Sequence, residues 1–210
     1  KVALPRRMWA GGRLTRLGLL PLGRPAERRS TIAEVAAKTG RAGPMTFVTV
    51  VNEIAGAAGP AYREEQDIVY REDPPPGARP APKPAPRDET HARGWRCDGT
   101  VLFRYSALTF NGHRIHYDAD YARAVEGYPG LVVHGPLLAT LLLELADELG
   151  GPPETFVFRA TAPVFADEPF ETCARAEGRA VRLWVRAGDG RLAMTAEAGW
   201  DGACLPGGMV

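Results

Sequence analysis

The sequence predicts an α+β fold in which long antiparallel strands surround one buried helix. Three observations carry this: the β-branched run Met45–Ile54, the apolar run Leu131–Ala146 halted by Gly150-Gly151-Pro152, and four strand-length segments after it, the later ones separated by glycine turns.

In chain order, Arg28–Ala37 alternates in part, Gly40-Arg-Ala-Gly-Pro44 makes a turn, and Met45–Ile54 is a strand. Gly56–Pro60 turns again into a strand over Tyr62–Arg71, completing a meander. No amphipathic helix of ten or more residues precedes residue 72, so the sheet has an apolar face that must be buried against something. Seven of the nineteen prolines lie within 74–86, which marks a stiff connector because proline lacks a backbone donor. The polar stretch Arg87–Arg93 extends this linker over 73–94.

Beyond the linker, Val101–Leu108 reads as a strand, 109–117 as a polar loop, and Asp118–Val125 as a short helix capped by Asp118. Gly135–Leu149 is a helix whose Leu137, Leu138, Leu141, Leu142 and Leu145 make it apolar almost all round. Strands follow at 155–164, 170–178, 180–187 and 191–200, with turns at Gly178 and Gly188-Asp189-Gly190. The expected organisation is a first unit at 1–72, the linker, a second unit at 95–203 and a tail at 204–210.

With 210 residues, 45% hydrophobic content and a net charge of +1, nothing in the bulk composition points to nucleic acid or a membrane as partner. Three widely spaced cysteines, Cys97, Cys173 and Cys204, fit neither a disulfide framework nor a zinc site. The longest apolar run includes His134, Pro136 and Glu144 and is too short for a bilayer. No signal peptide is visible, although the chain starts at Lys1 rather than Met, and the default expectation is cytoplasmic.

Chemistry concentrates at 104–118, where Asn111, His113 and His116 follow an apolar run, and at Val-Val-His-Gly-Pro 132–136, which opens the long helix. His116 titrates near neutrality and can take and return a proton. The Asn111 amide can hold a water but is no base, and Asn-Gly is also a common turn pair. Gly135 presents a helix-terminal amide able to meet developing negative charge, or it simply permits close packing. His113 reads as a surface residue and His134 as a brace for the helix start. The spacing 113, 116, 134 without supporting Asp, Glu or Cys is poor for a metal, and none is expected. No phosphate loop or nucleophile elbow occurs.

The run Tyr105-Ser-Ala-Leu-Thr-Phe-Asn111-Gly-His-Arg-Ile-His116-Tyr-Asp, with Val-Val-His134-Gly135-Pro, resembles the MaoC-like (R)-specific enoyl-CoA hydratases and 3-hydroxyacyl-thioester dehydratases. Within that family, Pro5-Arg-Arg-Met-Trp-Ala-Gly-Gly12 and Glu64-Glu-Gln-Asp-Ile-Val-Tyr-Arg-Glu72 are similar to the branch of mitochondrial-type dehydratases and mesaconyl-CoA hydratase-like proteins. The resemblance implies a double hot-dog fold with the active residues in the C-terminal unit. It implies His116, Asn111 and Gly135 as the catalytic set, with Tyr105, Ser106, His134 and Arg114 binding substrate. It also implies an acyl-CoA or acyl-carrier thioester as substrate, no cofactor, and a homodimer. Two departures stand out. Asn111 occupies the place of the common Asp, shifting acid–base work onto His116, and the helix of the N-terminal unit is expected upstream of Leu4. Arg104, Arg114 and Arg123 could meet a substrate carboxylate or the CoA phosphates, or be solvated surface. A hot-dog acyl-CoA thioesterase and a non-catalytic acyl-thioester binding module are the alternatives.

Overall fold

The structure is a computed structural model that describes residues 2–40, 43–72, 81–178 and 180–200. Its elements are β1 (Arg6–Arg16), β2 (Ala26–Gly40), β3 (Gly43–Gly56), β4 (Gly59–Arg71), β5 (His91–Arg96), α1 (Gly99–Thr109), a 3-10 turn (Arg114–His116), α2 (Ala119–Ala124), α3 (Gly135–Gly150), β6 (Thr155–Ala160), β7 (Pro169–Glu177), β8 (Ala180–Ala187) and β9 (Leu192–Gly199). They fall into two compact units. Among the described residues, the first holds those up to Ala81 with Pro152–Arg159 and Glu197–Trp200; the second holds those within Pro82–Gly151 and Ala160–Ala196. Most of β6, which the sequence reading places in the second unit, thus packs with the first.

In the first unit the strand order is β2-β3-β4-β1-β6, and among its described residues there is no helix. Strand β1 lies between β4 and β6, pairing Leu14 with Glu64 on one side and Phe156 on the other. Gly12 is required there: a Cβ would stand 2.6 Å from the Glu65 carbonyl oxygen and 2.8 Å from the Phe158 ring. The expected uncovered apolar face is interrupted. Glu64 to Asp67 are four consecutive polar residues, so successive side chains place polar groups on both faces of β4. On one face the Asn52 amide donates to Glu64 and accepts from Ser30, and on the other Arg13 and Thr49 donate to Asp67. Asn52, Glu64 and Asp67 therefore each have a cross-strand partner.

The second unit orders its strands β9-β8-β7-β5, and α3 packs on β7 and β8. The helix is amphipathic rather than apolar all round. Leu138, Ala139, Leu141, Leu142, Leu145 and Ala146 are buried, whereas Thr140, Glu144, Asp147 and Glu148 are exposed. Gly151, at φ 77°, ends it where side-chain-bearing residues are disfavoured.

Two expectations are corrected. Val101–Leu108 is not a strand but the core of α1, because the Asp98 carboxylate accepts from the Val101 amide at 2.8 Å and caps a helix. Its inward residues, Leu102 and Ser106, are four apart, a helical and not a strand period. The edge strand is β5, in part of the stretch assigned to the linker. Of that linker, 73–80 lie outside the described residues, as do Cys204, the tail at 204–210, and 41–42 of the first predicted turn. Residues 82–90 are no free spacer. Ala85 donates to the Gly190 carbonyl, Leu192 donates to that of Lys83, and Arg186 bonds Pro86 and Glu89, fastening the segment to β8 and β9. The predicted helix capped by Asp118 is α2, with the carboxylate accepting from the Tyr121 amide. Among the described residues no helix is long and apolar enough to cross a membrane. The two described cysteines, Cys97 and Cys173, are free thiols, and burial pushes Cys173 up to about 12.

Candidate active site

The second unit gathers three of the four histidines, His113, His116 and His134, near the start of α3. The loop after α1 begins with Phe110 in the left-handed region, at φ 51°. A residue with a side chain there costs about 1–2 kcal/mol. The turn is held by the Asn111 backbone N–H, which donates to the Ser106 carbonyl at 2.9 Å. Asn111 Oδ1 accepts from the His113 amide at 3.1 Å, and Tyr117 donates to the Gly112 carbonyl. Ile115, packed with Ala122 and Val132, pulls the 3-10 turn into the core and carries His116 with it. A polar stretch therefore delivers a buried imidazole, only 6% exposed.

His116 Nδ1 lies 2.7 Å from the Val132 carbonyl oxygen. A carbonyl only accepts, so Nδ1 carries the proton and Nε2 presents a lone pair. The Val132 amide in turn donates to the Ile115 carbonyl at 2.9 Å, fixing both ends of this contact. His134 stacks on His116 with centroids 3.7 Å apart and planes at 19°, and its Nε2 lies 2.8 Å from Ser106 Oγ. Tyr105 lies 4.8 Å from His134, and His113 meets His116 edge-on at 5.6 Å.

Next to His134, α3 begins at Gly135, followed by Pro136. Proline has no N–H, so Gly135 and Leu137 supply the first-turn amides that lack intrahelical acceptors. They lie at the positive end of the helix dipole.

Seven candidate residues are thus placed by the structure. Ser106, Asn111, His116 and His134 are joined through contacts among themselves and with His113; Tyr105 borders His134, and Gly135 follows it in the chain. Arg114 stands apart: it is exposed, paired with Asp118 at 2.7 Å and stacked over Tyr121 at 4.1 Å. Arg123 bonds the Pro129 carbonyl. Sequence reasoning missed the Val132 carbonyl, which sets the His116 tautomer. A backbone acceptor leaves no residue-type signal. No group of three or more His, Cys, Asp or Glu among the described residues is placed to hold a metal ion.

Burial pushes His116 down to about 4, against the opposing Val132 hydrogen bond, and His113 adds to the depression. Burial, with His116 and His113 nearby, pushes His134 down to about 3. Burial raises the Tyr105 phenol, with Thr140 opposing. Both imidazoles are therefore neutral at pH 7 in the folded chain. Between an unfolded value near 6.5 and about 4, the unfolded chain binds protons that folded His116 does not. The stability this provides is complete above pH 6.5 and falls as pH drops through that window, with His134 extending the loss to about 3. Denaturant titration at pH 7.5, 6, 5 and 4 should show this decline, and mutation of both histidines should flatten it.

Residues 1–166 match the family model for hydroxyacyl-thioester dehydratase type 2. A mesaconyl-C(4)-CoA hydratase of Chloroflexus aurantiacus is 47% identical over 200 residues, covering 93% of this chain and 70% of its own. A mitochondrial hydroxyacyl-thioester dehydratase type 2 of Schizosaccharomyces pombe is 40% identical over 89 residues, or 40% of this chain and 29% of its own. Among solved structures, a MaoC-like dehydratase from Phytophthora capsici has a TM-score of 0.74 at 14% identity, covering 97% of this chain and 75% of that one. A Mycobacterium tuberculosis protein described as a double hot-dog fold has a TM-score of 0.61 at 14% identity, covering 91% and 74%. The chain has the double hot-dog fold of the MaoC-like dehydratases and belongs to the hydroxyacyl-thioester dehydratase type 2 family.

Proposed function

We propose that this chain catalyses the reversible hydration of a trans-2-enoyl thioester, CoA-linked, to the 3-hydroxyacyl thioester. The observation that carries this reading is the neutral, buried His116, whose Nδ1–H is committed to Val132 and whose Nε2 is left as a base. Nε2 takes a proton from water as the water oxygen bonds to the β-carbon. The electron pair passes to the thioester oxygen, which the Gly135 amide receives at the helix start. His116 then returns the proton to the α-carbon, so the elements of one water are added and the imidazole ends neutral.

Asn111 holds the water or the product hydroxyl. Its Oδ1 is occupied by the His113 amide, which leaves the Nδ2 group as the donor. Asn111→Ala should lower kcat about tenfold or more, while Asn111→Asp retains activity, because a carboxylate also accepts from His113 and can position water. Steady-state rates of the two variants decide the point, and a fully active Asn111→Ala would remove Asn111 from the mechanism.

The substrate reading extends to a branched or dicarboxylic enoyl group such as mesaconyl, supported by the 47% identity to a protein named for that activity. Crotonyl-, longer enoyl- and mesaconyl-C(4)-CoA should be compared by loss of enoyl absorbance alongside a thiol-trapping dye. Absorbance loss without thiol release supports the hydratase, thiol release supports a thioesterase, and binding without turnover supports a binding module. A homodimer and a cytoplasmic setting belong to the same reading. Phe103, Leu108 and Phe110 on and after α1, which are exposed, supply an apolar surface for a second copy. Sedimentation should give twice the chain mass, and a monomer would contradict the dimer.

A further inference from the structure

Ser106 and His134, assigned above to the substrate, are both turned toward protein. His134 is 0% exposed, stacked on His116 and bordered by Tyr105. Its Nε2 meets Ser106 Oγ, which lies on the buried face of α1, and its Nδ1 is buried without a hydrogen-bond partner. Of the two neutral tautomers, one donates Nε2–H to Ser106 and leaves only a bare lone pair at Nδ1. The other leaves an N–H orphaned, which is the rarer arrangement in folded proteins. A second proton on Nδ1 would bury an unpaired donor and a charge against His116. His134 is thereby held neutral and protonated at Nε2.

We propose that Ser106 and His134 are positioning residues acting through His116. Ser106 fixes the tautomer and plane of His134, and that neutral ring shields one face of His116 from water and holds its Nε2 aligned for proton transfer. The inference rests on His116 being the proton carrier of the proposed hydration. The groups facing this pair are Tyr105 from α1, the Val132 carbonyl, and His113 at the edge of His116, with Glu126 lying 3.8 Å from His113. Among the described residues, the hydrogen-bond and ring partners of the two imidazoles are Ser106, the Val132 carbonyl, Tyr105 and His113, none of them a carboxylate that could favour a charged His134. The low titration of both rings accords with this.

Long-range proton–nitrogen spectra of the histidine-labelled full chain, without substrate, read the arrangement independently of turnover. The wild type should show His116 protonated at Nδ1 and His134 at Nε2, both neutral down to about pH 5. His134→Ala opens the shielded face, so His116 should titrate closer to 6.5, with kcat reduced about tenfold or more and KM changed by less than about threefold. His134→Phe keeps the flat ring and should recover most of that loss, and Ser106→Ala should move both readouts in the direction of His134→Ala. Should His134→Ala not fold, Ser106→Ala and His134→Phe carry the test. An unmoved His116 titration in the folded variants, a KM effect in place of a kcat effect, or His134→Phe as damaged as His134→Ala would overturn the proposal. A wild type with these tautomers but no hydration of any enoyl thioester would overturn the assigned function instead, leaving the spectra to judge the stack.

Discussion

His116→Ala should lower kcat for enoyl-thioester hydration by about 10²-fold or more, with the far-ultraviolet circular dichroism unchanged. The size of the effect follows from where the acid–base work can go. Asn111 cannot take a proton at neutral pH, and its Oδ1 is already occupied by the loop backbone. His134 has its Nε2 at Ser106 and its Nδ1 enclosed, so it cannot stand in. His113, at the edge of His116, faces Glu126. In the proposed hydration one group therefore carries the proton in both directions, and removing it would leave only the helix-terminal amides to stabilise charge. In the wild type, kcat/KM should stay flat as pH falls through 6.5 and decline toward about 4, where His116 takes a proton. A decline centred at 6.5 would mean the base is solvated.

Leu142→Ala should cost about 2–5 kcal/mol of unfolding free energy, read by calorimetry or denaturant titration. Leu142 is fully enclosed at the middle of the buried face of α3, the helix that packs on β7 and β8. Loss of its side chain removes apolar burial and leaves a void that close-packed neighbours fill only in part. The same helix presents Gly135 at its first turn, so the variant should lose some activity along with stability. Glu144→Ala, on the exposed face, is the control and should change stability by less than about 0.5 kcal/mol.

What the sequence made legible, and what it hid, follows from the range of the forces involved. The strands over 26–71 and 180–187 were readable because β-branched alternation and glycine turns are local signals. Likewise Asp118 caps α2 through a carboxylate only three residues from its donor. Val101–Leu108 misled because its apolar and aromatic content fits a strand, whereas a single Asp98 cap and the inward pair Leu102 and Ser106 make it a helix. The Asp98-Gly-Thr start was the available signal. Strand β5 was hidden by its polar, glycine-containing sequence; it pairs with β7, and nothing in 91–96 itself announces that partner. At the site, His116, Asn111 and Gly135 could be named from residue type and from the family's motif. The burial of His116 could not, since it depends on Ile115 meeting Ala122 and Val132 across the loop. The stack of His116 on His134, 18 residues apart in sequence, is likewise a product of the fold.

Water enriched in oxygen-18 tests the central claim most directly. The full chain is incubated with a trans-2-enoyl-CoA in labelled water, and the products are resolved by mass spectrometry. The account predicts one labelled oxygen in the β-hydroxyl of an intact 3-hydroxyacyl-CoA, formed by the wild type and reduced about 10²-fold or more with His116→Ala. Label appearing in a free carboxylate with release of CoA, or equal labelling by the wild type and the His116→Ala variant, would contradict it.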